Sequence, residues 1–417
     1  LSNTSSPVSR PALLIAGVLL IAATLRAPIT GIAPVLDMIR DSLSLGTAQA
    51  GILTTLPLLA FALVSPVAVV LARRFGLERS LFGALLLIAG GVALRPAGAV
   101  WSLFAGTAVI GIGVAIANVL LPSLLKRDFP TKIALVTSAY AMTAGIAAAL
   151  ASVMAVPIAS LPGKDWRWAL GAFEIFPLAA LAAWTPQLAN HTAPAGGTTA
   201  LPQGGRIWHS PLAWQVTFFF GLNSLVYYVV VAWLPAMLME RGYSAAAAGS
   251  LHGISQVATA IPGFLGPLIG RLKDQKIAAA GLALVTGTAL FGFFFLPAWA
   301  PAWTALFGFG TGATFILGLS IISLRAGNAR QAASLSGMVQ CVGYLVAASA
   351  PPLAGLIHDR SHGWQTPLMI CCLLCGVMAA FGYRAGRPIH LFAEQAKSSD
   401  LGGATQPLRQ DHRGSSL

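Results

Sequence analysis

The chain has 417 residues, of which 56% are hydrophobic and only 9% charged. A water-soluble domain carries about 25% charged residues, so this composition excludes one and sets most of the chain against lipid or other buried helices. The net charge of +13 lies in short loops, with no basic cluster interleaved with aromatics on a soluble module. It reads as membrane topology and not as a nucleic-acid surface.

Twelve long apolar runs separated by short polar loops predict membrane-crossing helices. In chain order they lie near 12–35, 48–71, 80–97, 101–125, 131–157, 166–185, 211–238, 245–269, 277–297, 300–323, 331–356 and 364–384. The fold class is therefore all-α. Residues 1–11 form a polar tail, and the first run is too long and uninterrupted to read as a removed signal peptide. A Pro/Gly/Thr-rich linker, 186–210, separates a half at 12–185 from a half at 211–384, and a polar tail at 385–417 is expected to be disordered. Of the 25 Lys and Arg, 18 fall in loops on the side of the termini, six lie opposite and Arg26 is the last, which predicts that both termini are cytoplasmic. Arg40, Arg95, Lys164, Arg167, Arg241 and Arg360 are the six.

Arg26 interrupts the first run. At ~1.5 Å per residue it stands about 20 Å into a hydrocarbon layer roughly 30 Å thick, where an arginine costs ~2.5–3.5 kcal/mol. It is read as a binder of an anion or polar group facing a central cavity. The alternative is a structural arginine bonded to carbonyls near Pro28 and Pro34 or paired with an acid.

The two halves repeat one another. Gly111-x-Gly113 with Asn118 and Pro122 matches Gly308-x-Gly310 with Phe315 and Leu319 at an offset of 197, and Gly51 and Arg73 match Gly249 and Arg271 at 198. With the longer first loop allowed for, Arg26 falls opposite Tyr227. This is the parallel-repeat arrangement of transporters built from two six-helix halves. The glycines in the fourth and tenth runs follow no strand and precede no Gly-Lys-Ser/Thr, so they predict close helix packing and not a phosphate loop.

Polar pairs four residues apart share a helix face. Asn223 and Tyr227, with Tyr228 beside them, His252 and Gln256, and Gln340 and Tyr344 form three such faces. Each either bonds a neighbouring helix or lines a wet site. His252 is a candidate proton relay or a neutral, hydrogen-bonded imidazole. Glu174, the acid deep in the sixth run, is a second coupling candidate, or it reaches outward beside the interfacial Trp166-Arg167-Trp168. Cys341, Cys371, Cys372 and Cys375 lie in apolar runs and read as packing residues. No catalytic triad, metal cluster or cofactor loop emerges, so neither an enzyme nor a bound cofactor is expected.

The loop Ala72-Arg73-Arg74-Phe75-Gly76-Leu77-Glu78-Arg79 resembles the basic loop between helices two and three of the major facilitator superfamily, with Arg73 where an Asp is common. Gly266-Pro267-Leu268-Ile269-Gly270-Arg271 with Asp274 is its counterpart. Arg73, Arg74, Arg79, Arg271 and Asp274 are gating candidates; plain positive-inside anchoring is the alternative. Leu25-Arg26-Ala27-Pro28-Ile29-Thr30 through Pro34, Gly113 to Pro130 with Asn118, Pro122 and Lys126-Arg127, and Leu234-Pro235 resemble the cyanate and 2-nitroimidazole porter branch of that superfamily, most of all its 2-nitroimidazole porters. The resemblance covers nearly all of 12–384. It implies a monomeric, multi-pass carrier of the bacterial inner membrane, with two pseudo-symmetric six-helix halves rocking around one site for a small anionic or electron-rich molecule. Arg26, Asn118, Asn223, Tyr227, Tyr228, His252, Gln256, Gln340 and Tyr344 would contact that substrate. A proton-coupled multidrug exporter and a membrane sensor or scaffold without transport are the competing readings.

Overall fold

The computed structural model describes residues 11–129, 131–189, 207–265, 274–327, 329–389 and 391. Arg271, nearly all of the N-terminal tail, most of the linker and most of the C-terminal tail lie outside them. Helix dominates because apolar Ala, Leu, Ile, Val and Gly fill runs that must satisfy their own backbone groups in lipid.

In the first half α1 is Pro11–Thr30, followed by a 3-10 turn, Ala33–Val35, and the short α2, Leu36–Leu43. Next come α3 (Thr47–Phe75), α4 (Leu77–Leu94), α5 (Val100–Asp128), α6 (Ile133–Ala159), α7 (Trp166–Ala172) and α8 (Ile175–Trp184). The second half holds α9 (Pro211–Met239), α10 (Ala245–Ala260), α11 (Lys276–Phe295), α12 (Ala300–Arg325), α13 (Ala329–Ser361) and α14 (Gln365–Ala385). Side-chain caps start three of them: Ser210 accepts from the Ala213 N–H, Ser244 from Ala247, and Asp165 from Arg167. At Gly76, between α3 and α4, φ is +84°, a conformation that favours glycine.

Among the described residues eleven segments are long and apolar enough to cross a membrane. The twelfth expected span is the eighth, where α10 runs 16 residues and tightens into a 3-10 segment, Ile261–Leu265. Two other spans depart from single rods. The first continues past Pro34 as α2, and the sixth breaks at Phe173–Glu174 into α7 and α8.

The same neighbour pattern recurs in both halves. The first and fifth spans pack as α1 on α6, and the seventh and eleventh as α9 on α13. The second packs on the fourth as α3 on α5, and the eighth on the tenth as α10 on α12. Glycine sets the distance at equivalent crossings: a Cβ on Gly111 would stand 2.8 Å from Pro57 Cα, while Gly308, at the matching position, lies against the Ser255 carbonyl. At the chain-terminal ends the repeat changes chemistry. Glu78, buried at the start of α4, pairs with Arg127 at 2.9 Å. The matching Arg325 bonds the Gln275 side chain and the carbonyls of Ala385 and Gly386.

The halves meet along two seams, α3 on α13 and α6 on α10. A Cβ on Gly51 would stand 2.6 Å from Pro352 N, and one on Gly249 would stand 2.8 Å from the Ser152 carbonyl. The Thr47 hydroxyl bonds the Asp359 carboxylate across the first seam. In lipid such backbone-to-backbone contact, and not exclusion of water, supplies the adhesion. These contacts lie toward the ends of the spans opposite the chain termini.

Candidate substrate site at the centre of the bundle

Arg26 leaves α1 four residues before its end and is half-buried. Its Nη1 donates to the Tyr227 hydroxyl at 2.9 Å, across the boundary between the halves. The Tyr227 hydroxyl donates to Gln256 Oε1 at 3.2 Å, and Gln256 Nε2 lies 3.4 Å from His252 Nε2. On the other ring nitrogen, His252 Nδ1 lies 2.9 Å from Ser152 Oγ, which returns the chain to the first half. Tyr227, Gln256, His252 and Ser152 are all buried. Four expected site residues thus form one continuous polar thread. Ser152 is a residue that the sequence reading missed, because a lone serine in an alanine-rich helix carries no signal of its own.

An aromatic wall that includes Tyr227 flanks Arg26. The Tyr228 ring stands edge-on to Tyr227 at 5.1 Å between centroids. Tyr344 packs at 5.7 Å from Phe61 of the first half and 5.9 Å from Phe220 of the second. The Arg26 charge also acts on Tyr140, Tyr228 and Tyr344. Tyr140, likewise missed, donates to Asn118 Oδ1 at 3.1 Å, which links Asn118 to this wall. Among the described residues Arg26 has no ion pair with a carboxylate.

Two expected site residues bond elsewhere. Asn223 donates to the Thr311 carbonyl at 3.2 Å and leaves its Oδ1 buried without a partner among the described residues. Gln340 donates to Ser336 one turn back on its own helix, at 2.8 Å. Arg73, Arg74 and Arg79 are exposed, Asp274 pairs with Lys276 at 3.0 Å, and Arg271 is outside the described residues. The buried acid of this loop is Glu78, which the sequence reading did not single out.

Arg95 and Glu174 differ from their expected settings. Arg95, counted with the loops, is fully buried. Its Nη1 donates to the Pro28 carbonyl at 2.7 Å, so it caps the C-terminal end of α1, where a cation is favoured. Glu174 sits at the break in the sixth span, where the Arg95 charge acts on it. Outside the spans, burial lowers the Arg241 guanidinium from its ordinary value, with Glu240 opposing the shift. Arg241 borders an apolar crevice with Val230, Leu234 and Phe293, within the second half and apart from the thread.

Comparison with known proteins gives the lineage. Residues 15–348 match the Major Facilitator Superfamily. The chain is 56% identical to the 2-nitroimidazole transporter of Escherichia coli (strain K12) over 386 residues, covering 92% of this chain and 98% of that protein. It is 29% identical to the cyanate transport protein CynX of the same organism, covering 83% of this chain and 90% of that protein. The crystal structure of a D-xylose–proton symporter superposes with a TM-score of 0.72 at 17% identity, over 92% of this chain and 100% of that one, which supports the fold alone. The chain belongs to the Major Facilitator Superfamily and is a multi-pass membrane transporter, not an enzyme.

Proposed function

We propose that the protein carries a small planar, electron-rich molecule of the 2-nitroimidazole kind, held by a nitro or carboxylate group on Arg26. The observation that carries this reading is Arg26 itself: a half-buried guanidinium in mid-bundle, bonded to Tyr227 with Tyr140, Tyr228 and Tyr344 within electrostatic reach, and with no paired carboxylate among the described residues. Of its five N–H donors one is spent on Tyr227, which leaves the others for a guest. The rings offer faces for stacking, which suits an aromatic guest better than the linear cyanate ion. The 56% identity to the 2-nitroimidazole transporter supports the same choice.

The halves rock about this site along the α3–α13 and α6–α10 seams, in a bacterial inner membrane with both termini cytoplasmic, as a monomer. Arg73, Arg74, Arg79, Arg271, Asp274 and the Glu78–Arg127 pair form the cytoplasmic latch, and His252 or Glu174 takes up the coupling proton. Proteoliposomes test the site. Saturable flux of labelled 2-nitroimidazole is expected from the wild type and background flux from Arg26→Ala. Equal flux from the two would remove Arg26 from the site, and export of unrelated lipophilic cations would favour a broad exporter.

A further inference from the structure

As the Gln256 amide is oriented, the thread from Arg26 to Ser152 runs in one direction. A guanidinium only donates, so Tyr227 accepts from Arg26 and has its own hydrogen left for Gln256 Oε1. The Gln256 amide is then oriented, with its NH2 toward His252 Nε2, which must be the bare nitrogen of a neutral ring. Nδ1 carries the hydrogen and donates to Ser152 Oγ, whose hydrogen goes to the Ala148 carbonyl at 2.8 Å.

A proton added to His252 has only Nε2 to occupy, where it meets the Gln256 NH2 head-on. Rotating the amide by half a turn removes the conflict. Oε1 then accepts from Nε2–H, and the NH2 donates to Tyr227, whose oxygen has a second lone pair for Arg26. The Tyr227 hydrogen is released from Gln256 and becomes free to donate to a guest on Arg26.

We infer that Gln256 couples protonation to binding: its amide flips when His252 takes up a proton, and the flip turns the Tyr227 hydroxyl toward the substrate. This rests on the Arg26 site proposed above and supplies its link to protons. The setting is clean. The sequences of α6, α9 and α10 contain no Asp, Glu, Lys or Arg, so Arg26, Tyr227 and the further tyrosines Tyr140 and Tyr228 are the titratable groups these elements and α1 bring to it. Ser255 and the Val231 carbonyl complete the polar surroundings. Ser152 is a positioning residue from the opposite half, so the Nδ1 contact lasts only while α6 and α10 stay packed. Separation of the halves there frees the ring to exchange its proton.

The test is the pH dependence of binding by the purified full-length protein. The probe is 1-methyl-2-nitroimidazole, which has no ring N–H to titrate. Wild type is expected to bind it roughly two- to tenfold more tightly at pH 4 than at pH 8, the worth of one hydrogen bond. Gln256→Leu and Tyr227→Phe are each expected to bind equally at both pH values; the second keeps the ring volume and guards against a folding defect in the first. Wild-type pH dependence retained in either variant overturns the inference, and so does a pH-independent wild type. Failure of the wild type to bind this probe while it binds 2-nitroimidazole also overturns it, because the freed hydrogen is aimed at nitro oxygens. Arg26→Ala, assayed with 2-nitroimidazole, separates the two ideas: undiminished binding there sinks the site itself.

Discussion

Two arginines lie within the first half's membrane layer, and they are held in opposite ways. Arg95 is fully buried and spends Nη1 on the Pro28 carbonyl, while its Nε and Nη2 face no hydrogen-bond partner among the described residues. Arg26 is half-buried and bonds a tyrosine from the other half. The first stitches α4 to the end of α1 inside one rigid half. The second bridges two bodies that must part during transport. The first charge ties one half together, whereas the second lies between the halves, where the proposed ligand would meet it.

Arg95→Leu should produce the largest change in stability. It orphans the Pro28 carbonyl and leaves Glu174 facing no cation, for a loss of about 2–4 kcal/mol, read as a fall in melting temperature in detergent. An unchanged melt would dissolve the contrast. Tyr227→Phe should cost the empty protein about 1 kcal/mol through the lost bond to Gln256. Smallest is Glu174→Gln, which should shift the wild-type melt by less than about 0.5 kcal/mol, because relief of a desolvated carboxylate offsets its lost attraction to Arg95. In the Arg95→Leu background the same change should restore part of the stability, and additive effects would show that the two groups are independent.

The sequence made the apolar runs, the two halves and their repeat legible, because lipid imposes length and hydropathy on a span, and eleven of the twelve expected spans meet both among the described residues. Arg26 stood out for the same reason. The repeat also set it against Tyr227, and those two side chains meet at 2.9 Å. Arg95 was opaque. It precedes Pro96 and a turn at Gly98 with φ +88°, so it reads as the start of a loop, and only packing shows it folded back under α1. Ser152 and Tyr140 were hidden differently, since helical spacing reports faces of one helix and not which faces of separate helices meet. The Glu78–Arg127 pair and its Gln275–Arg325 counterpart could have been found by extending the repeat to the helix ends, where the offsets of 197 and 198 still hold.

Direct titration of purified wild type and Arg26→Ala with 2-nitroimidazole, each with its melting curve, bears most closely on the central assignment. Loss of a charge-assisted contact should weaken binding by at least about tenfold, while the melt stays within about 1 kcal/mol of wild type. Equal affinities, or a collapse of stability as deep as that of Arg95→Leu, would contradict it and make Arg26 a second structural arginine.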